Sequence, residues 1–344
     1  MSNQKLFNVA VVGATGAVGE QILNLLDKRN FPIKELKLLS SARSAGTKIT
    51  FKGQEVTVEE AKPESFKGID IALFSAGGDV TKALAPHAVE YGTVCIDNTN
   101  AYRMDPNTPL VVPEVNIDKV SEHKGIIANP NCSTIQMVAA LKPLQDKYGI
   151  NRIIVSTYQA VSGAGAKAIE EMLRQTRASL DGEAVNPAIL PVGSLPVKHQ
   201  IAFNAIPQID KFQENGYTLE EMKMVNETKK ILDDQTIEVT ATCVRIPVVY
   251  GHSESVFVEL KNNYDLEDVK QLLSDAPGVV LVDDPANQLY PLATEAAGKP
   301  EVFVGRLRRD LGHENGLNLW IVSDNLLKGA AWNAVQIAEH IAQA

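Results

Sequence analysis

The sequence predicts an α/β protein in two parts, a parallel sheet with helices on its faces followed by an α+β unit built on a mixed sheet. Three observations predict it. Up to about residue 130, short apolar runs alternate with helical patterns, the mark of a helix-covered parallel sheet. Beyond that point the strand-like runs lengthen and become rich in β-branched residues. At roughly 150 residues per domain, a chain of 344 residues holds two domains or slightly more.

Taken in order, Phe7 to Val12 reads as a buried strand and Gly16 to Lys28 as a helix with Val18, Ile22, Leu25 and Leu26 on one face. A short strand follows at Leu36 to Leu39. Lys48 to Val58 alternates across Lys52-Gly53 as an antiparallel hairpin. Strands at Ile69 to Phe74 and Val94 to Ile96 flank a helix from Asp79 to Tyr91. The turn Asn129-Pro130-Asn131-Cys132 then launches an apolar helix through Ile135, Val138, Leu141 and Leu144. Strands are expected over Ile153 to Val161, Thr236 to Val249 and Ser255 to Leu260, and helices over Ala164 to Leu180 and Thr218 to Leu232. The run from Asp181 to Asp210 is rich in Pro, Gly and Asn and has no period, which in a compact domain suits a functional or interface segment. A last helix from Asn325 to Ile341, with Asp324 as N-cap, is expected to join the first domain. The predicted domains are residues 1–130 with 325–344, and residues 131–324.

Hydrophobic residues at 44% and charged residues at 22% are ordinary for a globular chain. A net charge of −9 argues against nucleic acid as a partner, because tracking phosphates needs a basic excess. The residues from Met1 lead straight into the first strand without a signal-peptide pattern, and every uncharged stretch falls short of the ~20 apolar residues that span a bilayer. Three cysteines, far apart and in no metal-ligand spacing, point to a reducing compartment, and so to a cytoplasmic protein without a metal.

Gly13-Ala14-Thr15-Gly16-Ala17-Val18-Gly19 joins the first strand to the first helix. There the turn must be tight, the backbone must approach a pyrophosphate, and the helix N-terminus faces its charge, as in a Rossmann-type dinucleotide site. The spacing is G-x-x-G-x-x-G instead of the usual G-x-G-x-x-G, and a ligand-free glycine turn is the competing reading. The second strand ends in Leu39-Ser40-Ser41-Ala42-Arg43-Ser44. Hydroxyls at Ser40 and Ser44 with Arg43, and no acid, suit a 2′-phosphate, so NADP is expected.

Cys132 follows Pro130-Asn131 at a helix entry, where orphan N–H groups and the helix dipole favour a thiolate and can hold an oxyanion. Cys95 and Cys243, set among β-branched residues, read as buried strand cysteines. A thiol beside a nicotinamide implies a thioester exchanging hydride with an aldehyde, and proton movement needs a base. Of six histidines, His252 stands out, since a strand ending at Tyr250-Gly251 would expose its ring.

With these segments in place, the chain resembles the aspartate-β-semialdehyde dehydrogenase family over nearly its whole length. The matching motifs are the Gly13 to Gly19 loop, Asn129 to Thr134, Gln159 to Gly165, Glu220-Glu221-Met222-Lys223, Val244 to Val248 through Gly251-His252, and Asp324 to Ala331. The resemblance implies NADP-dependent interconversion of β-aspartyl phosphate and aspartate semialdehyde, with phosphate as the second small molecule. It implies Cys132 as nucleophile, His252 as general acid/base and Gln159 as the residue orienting thiol and substrate. Arg245 would clamp the substrate carboxylate, Arg103 and Lys223 bind phosphate, Glu220 meet the amine or the basic groups, and Asn131 complete the substrate set. Thr15, Gly16, Ala17 and Val18 belong to the cofactor loop, and Ser162, Gly163 and Asn325 would lie near the nicotinamide. It also implies a homodimer or homotetramer. N-acetyl-γ-glutamyl-phosphate reductase shares the chemistry but typically reads Pro-Gly-Cys-Tyr-Pro-Thr around its thiol, and a non-catalytic Rossmann-type binding protein would have lost one of Cys132, Arg245 or His252.

Overall fold

The computed structural model describes residues 5–343; Met1 to Gln4, where the leader reading begins, and Ala344 lie outside the described residues. The chain divides into two compact units, Met1–Asn131 with Ala330–Ala344, and Cys132–Gly329.

The first unit carries a seven-stranded sheet in the order β3-β4-β2-β1-β5-β6-β7. Its strands are β1 (Phe7–Val12), β2 (Ile33–Ser40), β3 (Lys48–Phe51), β4 (Gln54–Glu60), β5 (Ile71–Phe74), β6 (Val94–Asp97) and β7 (Ile126–Ala128), with helices α1 (Ala17–Lys28), α2 (Gly78–Glu90) and α3 (Pro113–Asn116). All pairings are parallel except β3 with β4. Val9 to Val12 are fully buried, as a central parallel strand covered on both faces requires. The predicted hairpin turns at Lys52 (φ 48) and Gly53 (φ 76), both left-handed, which matches strand twist. Strand order reverses about β1, with β2 on one side and β5 on the other. The crevice beyond the carboxyl end of such a strand is where open α/β sheets bind ligands, and there the glycine loop begins.

The second unit carries a six-stranded mixed sheet in the order β11-β12-β13-β10-β8-β9. Its elements are α4 (Cys132–Tyr148), β8 (Ile150–Gln159), α5 (Ala166–Leu180), α6 (Leu219–Ile231), β9 (Glu238–Arg245), β10 (His252–Leu260), α7 (Leu266–Ser274), β11 (Val279–Leu281), α8 (Ala293–Ala296), β12 (Val302–Arg309) and β13 (Gly316–Ser323). Helix α4 packs on β8, β10, β12 and β13, and α6 packs on β9. The sheet face they cover takes Val256, Val258 and Leu260 from β10 into the core. Strand β9 ends at Arg245, four residues short of its expected limit, before Pro247, which has no N–H for a ladder. The segment from Asp181 to Asp210 holds neither helix nor strand. Side chains of α5 hold it instead: the Glu171 carboxylate accepts from Ala188 and Ile189 N–H at 3.0 and 3.1 Å, and Gln175 Oε1 from Ile201 and Ala202 N–H at 2.8 and 3.2 Å.

The final helix begins later than its sequence suggests. Asp324 Oδ1 accepts from Leu326 and Leu327 N–H at 2.8 and 3.1 Å, a π turn spans Leu327–Ala331, and only then does α9 (Trp332–Gln343) start. In the first unit α9 packs on α1, where Arg29 pairs with Glu339 at 2.6 Å and lies 4.3 Å from the Trp332 ring centroid. Among the described residues, no helix is long and apolar enough to cross a membrane.

Candidate active site

In the second unit, Cys132 is the first residue of α4 and is half-buried. The other two thiols are buried: burial pushes Cys95 up to about 12 and, helped by the charge of Glu220, pushes Cys243 up as well. That contrast singles out Cys132 among the three thiols as the one both placed at a helix start and reachable.

Adjacent strands bring the remaining groups to the same end of the sheet. Arg245 at the end of β9 stands opposite Gln159 at the end of β8, and His252 opens β10. The Ala160 backbone holds two of them, its carbonyl accepting from Arg245 Nη1 at 2.7 Å and its N–H donating to His252 Nδ1 at 3.0 Å. The ring is therefore buried, not exposed as the glycine turn suggested, because β10 starts at His252 itself and pairs it with Ser323 of β13. With Nδ1 an acceptor, the neutral ring carries its hydrogen on Nε2, a buried atom with no hydrogen-bond partner among the described residues. Burial first and the Arg245 charge second hold the ring down at about 3. The Arg245 guanidinium is itself pulled down by burial, with Glu220 and Cys132 opposing.

Glycines 163 and 329 keep this end open. A β-carbon on Gly163 would lie 3.1 Å from Arg245 Nη1 and 3.4 Å from His252 Nε2. One on Gly329 would lie 2.8 Å from the Cβ of Cys132, so the π turn approaches the thiol more closely than any side chain allows. Sequence reading missed Gly329 as a site residue, although it stands inside a quoted motif.

Helix α6 supplies the next groups. A capping box starts it, Thr218 N–H donating to Glu221 Oε2 at 2.7 Å and Glu221 N–H to Thr218 Oγ1 at 3.2 Å. Glu220 then receives Gln159 Nε2 at 3.2 Å and Lys223 Nζ at 3.1 Å, and Lys223 also meets Asp210 at 3.1 Å. Glu220 is buried, so this pair is not the solvated surface charge that a charged helix suggests. Asn325 Oδ1 accepts from Gly251 N–H at 3.0 Å and its Nδ2 donates to Ser162 Oγ at 3.0 Å, tying together the loops before His252 and after Gln159.

In the first unit the glycine loop has the shape a pyrophosphate requires. Gly13 takes φ 89, and a β-carbon there would strike the Ser75 and Ala76 backbone at 2.8 and 2.9 Å. One on Gly19 would stand 2.2 Å from the Gly13 carbonyl, so only glycine lets α1 pack this close. A β-carbon on Gly16, the N-cap of α1, would meet no atom nearer than 3.4 Å, so the helix start is unobstructed. Thr15 Oγ1 shares a hydrogen bond with Ser40 Oγ at 3.1 Å, Ser44 is half-buried and Arg43 is exposed. Glu60, which pairs with Ser40 across β4, is bound by Lys62 at 2.7 Å. Arg103 is buried in this unit, donating from Nε to the Asn129 carbonyl at 2.9 Å and from Nη2 to the Asn98 carbonyl at 3.2 Å, and Asn131 is also buried.

Comparison with known proteins gives a consistent result. A model of the semialdehyde dehydrogenase NAD binding domain matches residues 8–123, and one of the semialdehyde dehydrogenase dimerisation domain matches residues 141–328. Aspartate-semialdehyde dehydrogenase of Bacillus subtilis is 64% identical over 335 residues, 97% of each chain. The crystal structure of aspartate semialdehyde dehydrogenase II from Vibrio cholerae complexed with ASA is 49% identical with a TM-score of 0.93, covering 98% of this chain and 99% of that one. The enzyme from Candida albicans, solved with NADP, is 28% identical with a TM-score of 0.75, covering 97% and 98%.

Proposed function

The chain belongs to the aspartate-semialdehyde dehydrogenase family, and from that premise we propose how its residues divide the reaction. It is an NADP-dependent enzyme that interconverts β-aspartyl phosphate and aspartate semialdehyde with phosphate. The observation that carries the reading is the Ala160 backbone, whose carbonyl and N–H fix Arg245 and His252 at one end of the sheet.

The first unit holds NADP: Gly13, Thr15, Gly16, Ala17, Val18 and Gly19 take the pyrophosphate, and Ser40, Arg43 and Ser44 take the 2′-phosphate. When bound, the cofactor supplies or accepts a hydride. In the second unit Cys132 attacks the acyl phosphate carbon as thiolate, forming the C–S bond of a thioester while the C–O bond to phosphate breaks. Backbone N–H groups at the start of α4 steady the oxyanion. Arg245 takes the substrate carboxylate in a fork that lysine cannot reproduce. Glu220 binds the amine, Arg103 and Lys223 bind phosphate, and Asn131 and Gln159 orient the acyl group. On the oxyanion that a hydride from the cofactor would leave at the thioester carbon, the neutral His252 would rest a hydrogen bond from Nε2–H; as that oxygen re-forms its C=O, the C–S bond breaks to give aldehyde and the Cys132 thiolate, with no proton left over. Ser162, Gly163 and Asn325 border the nicotinamide.

The protein works as a homodimer, or as a homotetramer made of two dimers, in the cytoplasm. Supporting the association are the dimerisation-domain match and the exposed Val197 and Phe203 in or beside the irregular segment. The deciding assay is NADP reduction with aspartate semialdehyde in phosphate buffer, run beside N-acetylglutamate semialdehyde. Turnover confined to the first aldehyde is expected; turnover confined to the second, or none with either, overturns the reading.

A further inference from the structure

Three cross-strand rows descend from the site on the helix-covered face of the second sheet. The top row holds Arg245 and Gln159, with His252 beyond them. The third, Ala241, Val155 and Val256, is apolar and buried. Between them runs a polar row, Cys243 opposite Thr157 and Thr157 opposite Glu254, with Ile321 closing it on β13. Thr157 Oγ1 in this row receives Gln159 Nε2 at 3.2 Å, so the middle row already supports one member of the top row.

Glu254 is fully buried, and neither carboxyl oxygen meets a hydrogen-bond partner among the described residues. Gln136, one helical turn after Cys132, is equally buried; its Nε2 donates to the His252 carbonyl at 3.3 Å and its Oε1 has no partner among the described residues. Gln136 lies near enough to Glu254 to act on its carboxyl group. Two acceptors, a carboxylate and an amide oxygen, cannot satisfy each other, whereas a carboxylic acid brings the missing donor hydrogen. Burial favours that neutral form, holding Glu254 well above the ordinary carboxylate range, with Gln136 opposing in part. The titratable group in the same row is the Cys243 thiol, on the far side of Thr157 and itself pushed up by burial; Thr157, Ile321 and Gln136 bring no charge.

We propose that Glu254 is a positioning residue for the thiol and the imidazole, its carboxylic acid hydrogen-bonding Gln136 and so fixing the amide that joins the Cys132 helix to the His252 carbonyl. The role rests on the catalytic reading above, since only with Cys132 and His252 in catalysis does their spacing matter. It predicts a kcat effect with little change in KM, because Glu254 is fully buried one row below the groups assigned to substrate.

The test combines infrared spectroscopy with kinetics on the full-length enzyme. The wild type should show a protonated-carboxyl C=O band that shifts in D2O and is lost in Glu254→Gln. Glu254→Gln, which keeps a neutral donor in place, should retain most of kcat. Glu254→Leu should lose kcat roughly ten- to hundred-fold, the range a misplaced reacting group costs. Gln136→Leu should lose as much alone, and the double variant little more. Absence of the band, additive losses, or Glu254→Gln as impaired as Glu254→Leu would each overturn the proposal. If Glu254→Leu does not fold, the band and the Gln136→Leu kinetics still decide. A wild type that shows the band but does not turn over aspartate semialdehyde refutes the catalytic reading and not the protonation.

Discussion

The backbone N–H of Ala160 donates to Nδ1 of His252 at 3.0 Å, which leaves the hydrogen of the neutral ring on Nε2, the atom that faces Gly163. Protonating the ring at Nδ1 would break that bond and place a second cation beside Arg245. Below pH 6.5 an unfolded chain takes up a proton at this histidine that the folded chain refuses until about pH 3, so acid favours unfolding through this residue. His252→Gln removes that proton uptake. Its urea midpoint should fall less between pH 7.5 and pH 5 than the wild-type midpoint; equal falls would mean the ring titrates normally. Activity of the same variant should drop by ~10²- to 10⁴-fold.

Cys132→Ala should end turnover while leaving NADPH binding unchanged by fluorescence titration, because the cofactor loop belongs to the other unit of the fold. Wild-type activity in this variant would exclude the thioester.

Gly329→Ala puts a carbon 2.8 Å from the Cβ of Cys132, and the thiol must move. A displacement near 1 Å costs on the order of 10²-fold. We expect kcat to fall by about that much, with NADPH affinity intact. Gly163→Ala, whose new carbon meets Arg245 at 3.1 Å, should act more on KM for aspartate semialdehyde. Rapid kinetics with both variants checks the split.

Arg245→Lys keeps a positive charge but loses the planar fork and the 2.7 Å bond to the Ala160 carbonyl. Hydrogen bonds to charged groups contribute about 1.5–3 kcal/mol each, so kcat/KM should drop by more than tenfold. A variant within twofold of wild type would remove Arg245 from carboxylate binding.

Arg43 is exposed and lies outside both strands and helices, so Arg43→Ala should fold normally. Its NADPH affinity should weaken by roughly tenfold or more, the effect of one lost charged hydrogen bond, while NADH affinity stays constant. Parallel changes for the two cofactors would assign the 2′-phosphate to other residues.

The first unit was readable because its signals are local: β1, the glycine turn and α1 are contiguous, and Gly16 and Gly19 answer to atoms of Gly13 and Ala14 within that segment, although Gly13 answers to Ser75 and Ala76 further along the chain. Cys132 was readable for the same reason, a thiol at a helix entry. His252 was half readable. Its place at the start of a strand is local, but the burial of its ring depends on β8 and on β13, which lies about seventy residues further along the chain. The strand β12 went unrecognised because Arg306, Arg308 and Arg309 interrupt its apolar pattern, and a register shift between Gly305 and Arg308 breaks its alternation. Glu220 and Lys223 look like surface charges on a charged helix, and only packing of α6 on β9 turns them inward. Glu254 did leave a local trace, an acid at a core position of a strand that otherwise presents Val256, Val258 and Leu260.

Because the first unit is made of the opening 131 residues and of Ala330–Ala344, the order of synthesis matters to it. A growing chain has all seven strands of its sheet long before α9 exists, and α1 keeps an unfilled flank, with Arg29 lacking both Glu339 and the Trp332 ring, until the last residues emerge. The whole of the second unit is translated in that interval. Packing of α1 is thus completed only by residues made after the catalytic unit that the chain inserts between them.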